Sequence, residues 1–194
     1  MTPGWLTTDE MIEVDRVMVD ELGIALVQMM ENAGRNLAQF AIDRYDPRVV
    51  VVCAGAGGNG GGGMVAARHL ANRGRAVTVV TTRPVADLDG AAAHQAGILE
   101  RMGVPFAGAV DSADLLVDAV IGYSLRDTPT GRAAELIEAM NSNPAPVLAL
   151  DAPSGLDTTT GATPGPVVHA DATLTLAAPK RGLRDAAWVG TLFV

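Results

Sequence analysis

VVVVCAGAGGNGGGGMVAARHLANRGRAVTVVT, residues 49–81, decides the fold. Val49 to Val52 are β-branched residues in unbroken succession, the pattern of a short strand covered on both faces. The run passes into AGAGGNGGGG at 54–63, where seven of ten residues are glycine. Residues 64–73 (MVAARHLANR) then read as a helix stopped near Gly74, and AVTVVT at 76–81 reads as the next strand. Strand, glycine-rich connection, helix and strand make a βαβ unit, in which the two strands run parallel and the crossover is right-handed.

The alternation continues downstream, with a helix at about 90–102, a strand at 115–121 (LLVDAVI), a helix at 131–141, a strand at 146–150 (PVLAL), and short strands near 173–177 and 190–194. Upstream, Met11, Ile12, Val14, Val17, Met18 and Leu22 recur at helical spacing, and Leu26, Met29, Met30, Ala33, Leu37 and Phe40 do so after Gly23. Residues 9–41 therefore read as a helical pair capped near Thr8, with its methionines as packing residues. The expected architecture is a three-layer α/β fold: a doubly wound, Rossmann-like, mainly parallel sheet over 49–194, joined to the N-terminal helices in one domain of residues 1–194. In such folds ligands lie beyond the carboxyl ends of the strands.

Composition narrows the partners. Asp and Glu outnumber Lys and Arg by 22 to 14, a net charge of -8 that repels a phosphate backbone at long range, so nucleic-acid binding is disfavoured. Cys53 is the only cysteine, which excludes an intrachain disulfide, and its place at the end of an apolar run marks it as a small buried hydrophobe. Acidic residues Asp9, Glu10 and Glu13 stand where a secretory signal would be basic, and no stretch reaches the ~18 apolar residues of a membrane span. The expected location is the cytoplasm.

Three polar loops follow three of the strands and should converge on one sheet edge. In the first, Gly55, Gly57 and Gly60 have G-x-G-x-x-G spacing, which lets backbone approach a phosphate at a helix N-terminus; a flexible or tightly turned connection is the alternative, and the glycine run directly after a strand favours ligand approach. The acidic residue that a dinucleotide fingerprint places after the second strand is missing, since Thr81, Thr82 and Arg83 stand there. The second loop begins at Asp118, a carboxylate among Leu115, Leu116, Val117, Ala119 and Val120 that needs a hydrogen-bond, charge or cation partner. The third, DAPSGLDTTTG from Asp151, has Pro153 and Gly155 to force a sharp turn, so Asp151 and Ser154 can both present oxygens for acid–base work or cation binding; a structural cap is the alternative.

With MENAGR at 30–35, GNGGGGMVAARHL at 58–70, DAPSGLD at 151–157 and AAPKRGL at 177–183, the chain resembles the YjeF N-terminal domain family, the NAD(P)HX epimerases, from about residue 9 onward. The resemblance implies an isomerase of cofactor repair that interconverts the R and S forms of hydrated NADH and NADPH (NADHX and NADPHX). It implies a potassium ion held by Asn59, Asp118 and Ser154, all bearing hard oxygens. Substrate contacts would come from Gly58, Asn59, Gly60, Gly61 and Gly62, from Gly122, Tyr123, Ser124, Leu125, Arg126, Asp127 and Thr128, and from Asp151. Asp151 first and Asp118 second would assist loss and return of the ring hydroxyl. Lys180 matches the family's lysine and either reaches a phosphate or carboxylate or stands in solvent.

The chain departs from the family pattern at Gly58, where the motif has an asparagine, at Gly62, where it has an aspartate, and at Tyr123 and Ser124, where small residues are usual. A tyrosine there would stack on the ligand or narrow its pocket. The resemblance also implies a downstream NAD(P)HX dehydratase, expected as a separate protein, and the apolar N-terminal helices suit a homodimer. Two other functions stay open on these residues: an NAD(P)-dependent oxidoreductase and a noncatalytic nucleotide-binding or scaffold module.

Overall fold

The strands β1 (Val49–Ala54), β2 (Ala76–Thr81), β3 (Phe106–Ala107), β4 (Leu115–Ala119), β5 (Val147–Leu150), β6 (Ala172–Leu174) and β7 (Thr191–Phe193) form one sheet. The computed structural model describes residues 4–194. Their order is β3-β2-β1-β4-β5-β6-β7, and every neighbouring pair is parallel. The chain thus builds outward from β1 in one direction, returns, and builds outward from β4 in the other. Right-handed crossovers made in opposite directions put their helices on opposite faces, and the switch falls between β1 and β4.

Side-chain alternation assigns the faces. Val50, Val52 and Ala54 pack with Leu37, Ala38 and Ala41 of α2 (Leu26–Tyr45), and with α3 (Gly58–Asn72) and α4 (Gly90–Arg101). Val51 and Cys53 point the other way, towards Leu136, Ile137 and Met140 of α5 (Gly131–Asn141). Cys53 is fully buried and burial pushes its thiol pKa up, so it packs as the expected small hydrophobe.

Before the sheet, α1 (Thr8–Arg16) continues into a π-helical turn at Val17–Glu21. Its cap is Thr7 rather than Thr8. The Glu10 amide donates to Thr7 Oγ1 at 3.2 Å, and the Thr7 amide donates back to Glu10 Oε2 at 2.7 Å. Residues 5–8 are bound to the far end of the chain. Leu6 N–H donates to Pro179 O at 2.9 Å, Arg181 N–H donates to Leu6 O at 2.8 Å, and the Thr8 amide donates to Thr159 Oγ1 at 2.9 Å.

One element differs from expectation in a way that alters the site. The helix expected from residue 64 begins at Gly58, so most of the glycine-rich stretch is its first two turns. Glycine is a poor helix former, and packing overrides that preference. A Cβ on Gly60 would lie 1.8 Å from the Gly55 carbonyl oxygen, and one on Gly61 would lie 2.8 Å from Met30 Sδ. Bare backbone is what lets α3 sit this close to the β1 turn and to α2. Smaller differences are that β4 ends at Ala119 rather than residue 121 and that the two-residue β3 is too short to show a period.

Candidate functional site

The ends of β1, β4 and β5 meet a cavity of about 540 Å³, closed on its far side by the N-terminal helices. Leu150, Asp151, Leu176 and Lys180 line its floor, and Gly58, Asn59 and Gly62 present the start of α3. Gly122, Tyr123 and Ser124 of the loop after β4 form a side. Met11, Met18, Met29 and Met30 contribute an apolar wall, so these methionines face the cavity as well as pack, an adaptable lining that helical spacing alone did not distinguish from core.

Asp151 ends β5 with φ +71°, a left-handed backbone uncommon outside glycine, though aspartate tolerates it better than most residues. That turn aims its carboxylate at groups from three segments. Oδ1 accepts from the Leu176 amide at 3.0 Å and from Thr175 Oγ1 at 3.3 Å, while Oδ2 accepts from the Tyr123 amide at 3.2 Å. Its charge is met by Lys180, whose Nζ donates to Oδ1 and also to the Leu176 carbonyl at 2.8 Å and Thr175 Oγ1 at 3.1 Å. Lys180 has 0% relative exposure and Asp151 3%. A lysine this enclosed needs a paired carboxylate, because an isolated ammonium would be too costly to desolvate. Of the alternatives open to Lys180, a phosphate, a carboxylate or solvent, the structure shows a carboxylate, Asp151, 29 residues earlier in the chain.

Asp118 lies on the opposite face of the sheet, between its register partners Cys53 and Ala149, and does not line the cavity. Its oxygens are already occupied: Oδ2 accepts from the Ser154 amide at 2.7 Å, and Oδ1 from Ser154 Oγ at 2.5 Å and the Val120 amide at 3.2 Å. Burial pushes its pKa up to about 6 against the lowering effect of those bonds. Strand alternation turns Asp118 away from the cavity, so the structure does not bring this expected catalytic carboxylate to the cavity beside Asp151.

Asp118 and Ser154 nevertheless belong to an oxygen-rich cluster. The Ser154 hydroxyl lies 3.1 Å from the Ile121 carbonyl and accepts from the Ile121 amide at 2.7 Å. Asn59 reaches the neighbouring residue: a Cβ on Gly122 would lie 3.1 Å from Asn59 Oδ1, and Asn59 Nδ2 is buried without a hydrogen-bond partner. The amide oxygen of Asn59, the Ser154 hydroxyl, the Ile121 carbonyl and the Asp118 carboxylate are hard oxygens, the donor type a hard cation takes.

Of the other residues expected at the ligand, Gly60 and Gly61 are spent on packing, as their missing Cβ atoms show. Leu125, Arg126, Asp127 and Thr128 are not among the residues that line the cavity, and the Thr128 hydroxyl donates to the Pro164 carbonyl at 3.2 Å. Asp15 of α1 was not anticipated. It lines the cavity, and its Oδ2 accepts from the Tyr123 hydroxyl at 2.6 Å. On α1 nothing in the periodicity separates it from an ordinary solvated acid.

A family model described as YjeF-related protein N-terminus matches residues 26–182. The chain is 44% identical to an NAD(P)H-hydrate epimerase of Dehalogenimonas lykanthroporepellens, over 96% of this chain and 81% of that protein. It is 35% identical to an enzyme of the same name from Rhodopirellula baltica, over 91% and 76%. A bifunctional NAD(P)H-hydrate repair enzyme of Escherichia coli is 38% identical over 90% of this chain, which covers 35% of that longer protein. Among solved structures, yeast YNL200c aligns with a TM-score of 0.80 at 25% identity, covering 92% of this chain and 82% of the yeast chain.

Proposed function

The chain belongs to the YjeF-related N-terminal family, and from that premise we propose how it works as an NAD(P)H-hydrate epimerase acting on hydrated NADH and NADPH. The observation that carries the mechanism is the buried Lys180–Asp151 pair in the floor of the cavity. The hydrated ring lies against that floor, and the pyrophosphate lies at the start of α3, where the unpaired amides and helix dipole of a 15-residue helix favour an anion. Gly58, with no atom within 3.9 Å of a Cβ built on it, leaves that entrance open.

Epimerisation needs the ring hydroxyl to leave from one face and return to the other. Lys180 Nζ exchanges its 3.1 Å bond to Thr175 Oγ1 for one to the hydroxyl oxygen and donates that proton as the carbon–oxygen bond breaks, releasing water and leaving a ring cation conjugated to nitrogen. Asp151 balances that charge and holds the amine in place. A water then adds to the opposite face and returns its proton to the pair, so the reaction consumes no reductant and regenerates both groups.

Asn59, Asp118 and Ser154 would hold a potassium ion, a reading supported by the hard-oxygen donor set and by the convergence of Asp118 and the Ile121 carbonyl on Ser154. Such an ion supplies a fixed positive charge that ties the start of α3 to the loops after β4 and β5. Exposed apolar residues on the N-terminal helices, Ile12 at 50% and Leu22 at 66%, support a homodimer. A separate NAD(P)HX dehydratase would consume the S product. Among the described residues, no helix is long and apolar enough to cross a membrane.

The test follows purified R-NADHX and S-NADHX by chromatography, with and without potassium. Wild type is expected to speed their interconversion without net change at 340 nm. Asp151→Asn and Lys180→Met should each slow it by about 10²–10⁴. Wild type that leaves the uncatalysed rate unchanged sinks the proposal; full activity in either variant removes that residue from the proton transfer.

A further inference from the structure

The geometry points to Tyr123 as a substrate-contacting residue whose aromatic face steadies the cationic ring formed during epimerisation, with Asp15 of α1 as the residue that positions it. This rests on the epimerase reading and deepens it. Tyr123 is fastened at both ends. Its amide donates to Asp151 Oδ2 at 3.2 Å, its carbonyl accepts from Thr158 Oγ1 at 3.0 Å, and its phenol donates to Asp15 Oδ2 at 2.6 Å. The side chain therefore spans from the sheet edge to the N-terminal wall, and Tyr123, Asp15, Asp151 and Lys180 all line the same cavity.

The ring already faces a positive charge, with Lys180 Nζ 5.9 Å from its centroid. Aromatic faces carry negative potential and attract cations at this range, most strongly where water is displaced. When the hydroxyl departs as water, the substrate ring becomes a planar cation beside Lys180, which has just given up its proton and its charge. Positive charge thus passes from an ammonium the Tyr123 face already holds to a ring it can stack against. Donation of the phenol proton to a carboxylate makes the aromatic face more electron-rich and prevents the ring from swinging out. Burial and Asp15 both push the Tyr123 pKa up, so the phenol remains a donor at neutral pH. The contact is stronger in the cationic state than in neutral substrate, which is the condition for raising kcat rather than only lowering KM.

The experiment measures initial rates of NADHX epimerisation for wild type, Tyr123→Leu, Tyr123→Phe, Asp15→Ala and the Asp15→Ala/Tyr123→Phe double variant, with thermal melts to confirm that each is folded. Tyr123→Leu is expected to lose about tenfold in kcat with little change in KM. Tyr123→Phe keeps the ring and should retain several times the leucine variant's kcat. Because Asp15 and the phenol act through one bond, the double variant should be no slower than the slower single variant. A leucine variant within about twofold of wild type in kcat, a loss seen only in KM, or multiplicative effects in the double variant overturns the inference and leaves the epimerase reading intact. Inactive wild type instead overturns the reading on which it rests.

Discussion

Asp118 shows how a residue legible in the sequence can change role once the chain folds. Its position in an apolar strand required a partner, and Ser154 with the Val120 amide meets that need. Strand alternation points it to the α5 side, whereas Asp151 reaches the cavity through its left-handed turn after β5. The raised Asp118 pKa carries a stability prediction. The folded state holds the proton up to about pH 6, whereas the unfolded chain releases it near the ordinary aspartate value of 3.8. Between those values the native state binds more protons, so the stability contributed by protonation is full below pH 3.8 and lost as pH rises through 6. In potassium-free buffer, wild type should therefore gain on Asp118→Asn by about 2 kcal/mol between pH 7 and pH 4. Denaturant unfolding at the two pH values checks it, and a pH-independent difference would show that folding leaves the Asp118 proton affinity unchanged. Lys180 and Asp15 were harder to read. A lysine or a helical aspartate is ordinarily solvated, and only contacts between distant segments pull these two to the cavity.

Among the elements, α3 separates what local pattern conveys from what packing imposes. A glycine run after a β-branched strand reads locally as a flexible, ligand-approaching loop, yet Gly58–Gly63 are helical. The reason is steric and long-range: the Gly55 carbonyl and Met30 occupy the volumes that Cβ atoms on Gly60 and Gly61 would need. The two kinds of glycine should respond differently to substitution. Gly60→Ala would place a methyl 1.8 Å from a backbone oxygen and is expected to destabilise the fold by at least about 3 kcal/mol. Gly58→Asn restores the side chain usual in the related motif at an exposed position and should change stability by less than about 1 kcal/mol. Urea unfolding of both variants is the measurement; equal effects would refute the distinction. By contrast α5 follows its sequence expectation residue for residue, because its apolar positions have an uninterrupted helical period and one covered face.

On the scale of the whole molecule, the two chain ends build the site together. The segment at 5–8 clasps 179–181 and the turn at 158–159, and so braces the backbone that carries Lys180. A chain starting at Asp9 loses these bonds. With about 1 kcal/mol for each net hydrogen bond, its Tm should fall by roughly 5–10 °C, and amide exchange at Arg181 should quicken. Unchanged exchange at Arg181 would mean that the clasp is not what holds Lys180. Alternating apolar strands and helices were enough for the sequence by itself to determine the doubly wound sheet, since burial on both faces of parallel strands is written locally in unbroken β-branched runs. The motifs at the ends of β4 and β5 were enough to bring Asp118, Asp151 and Ser154 to one edge. Only the tertiary structure decided which carboxylate lines the cavity, that Lys180 pairs with it, and that α1 supplies the opposite wall. Those outcomes depend on the volumes and charges that segments far apart in the chain impose on one another.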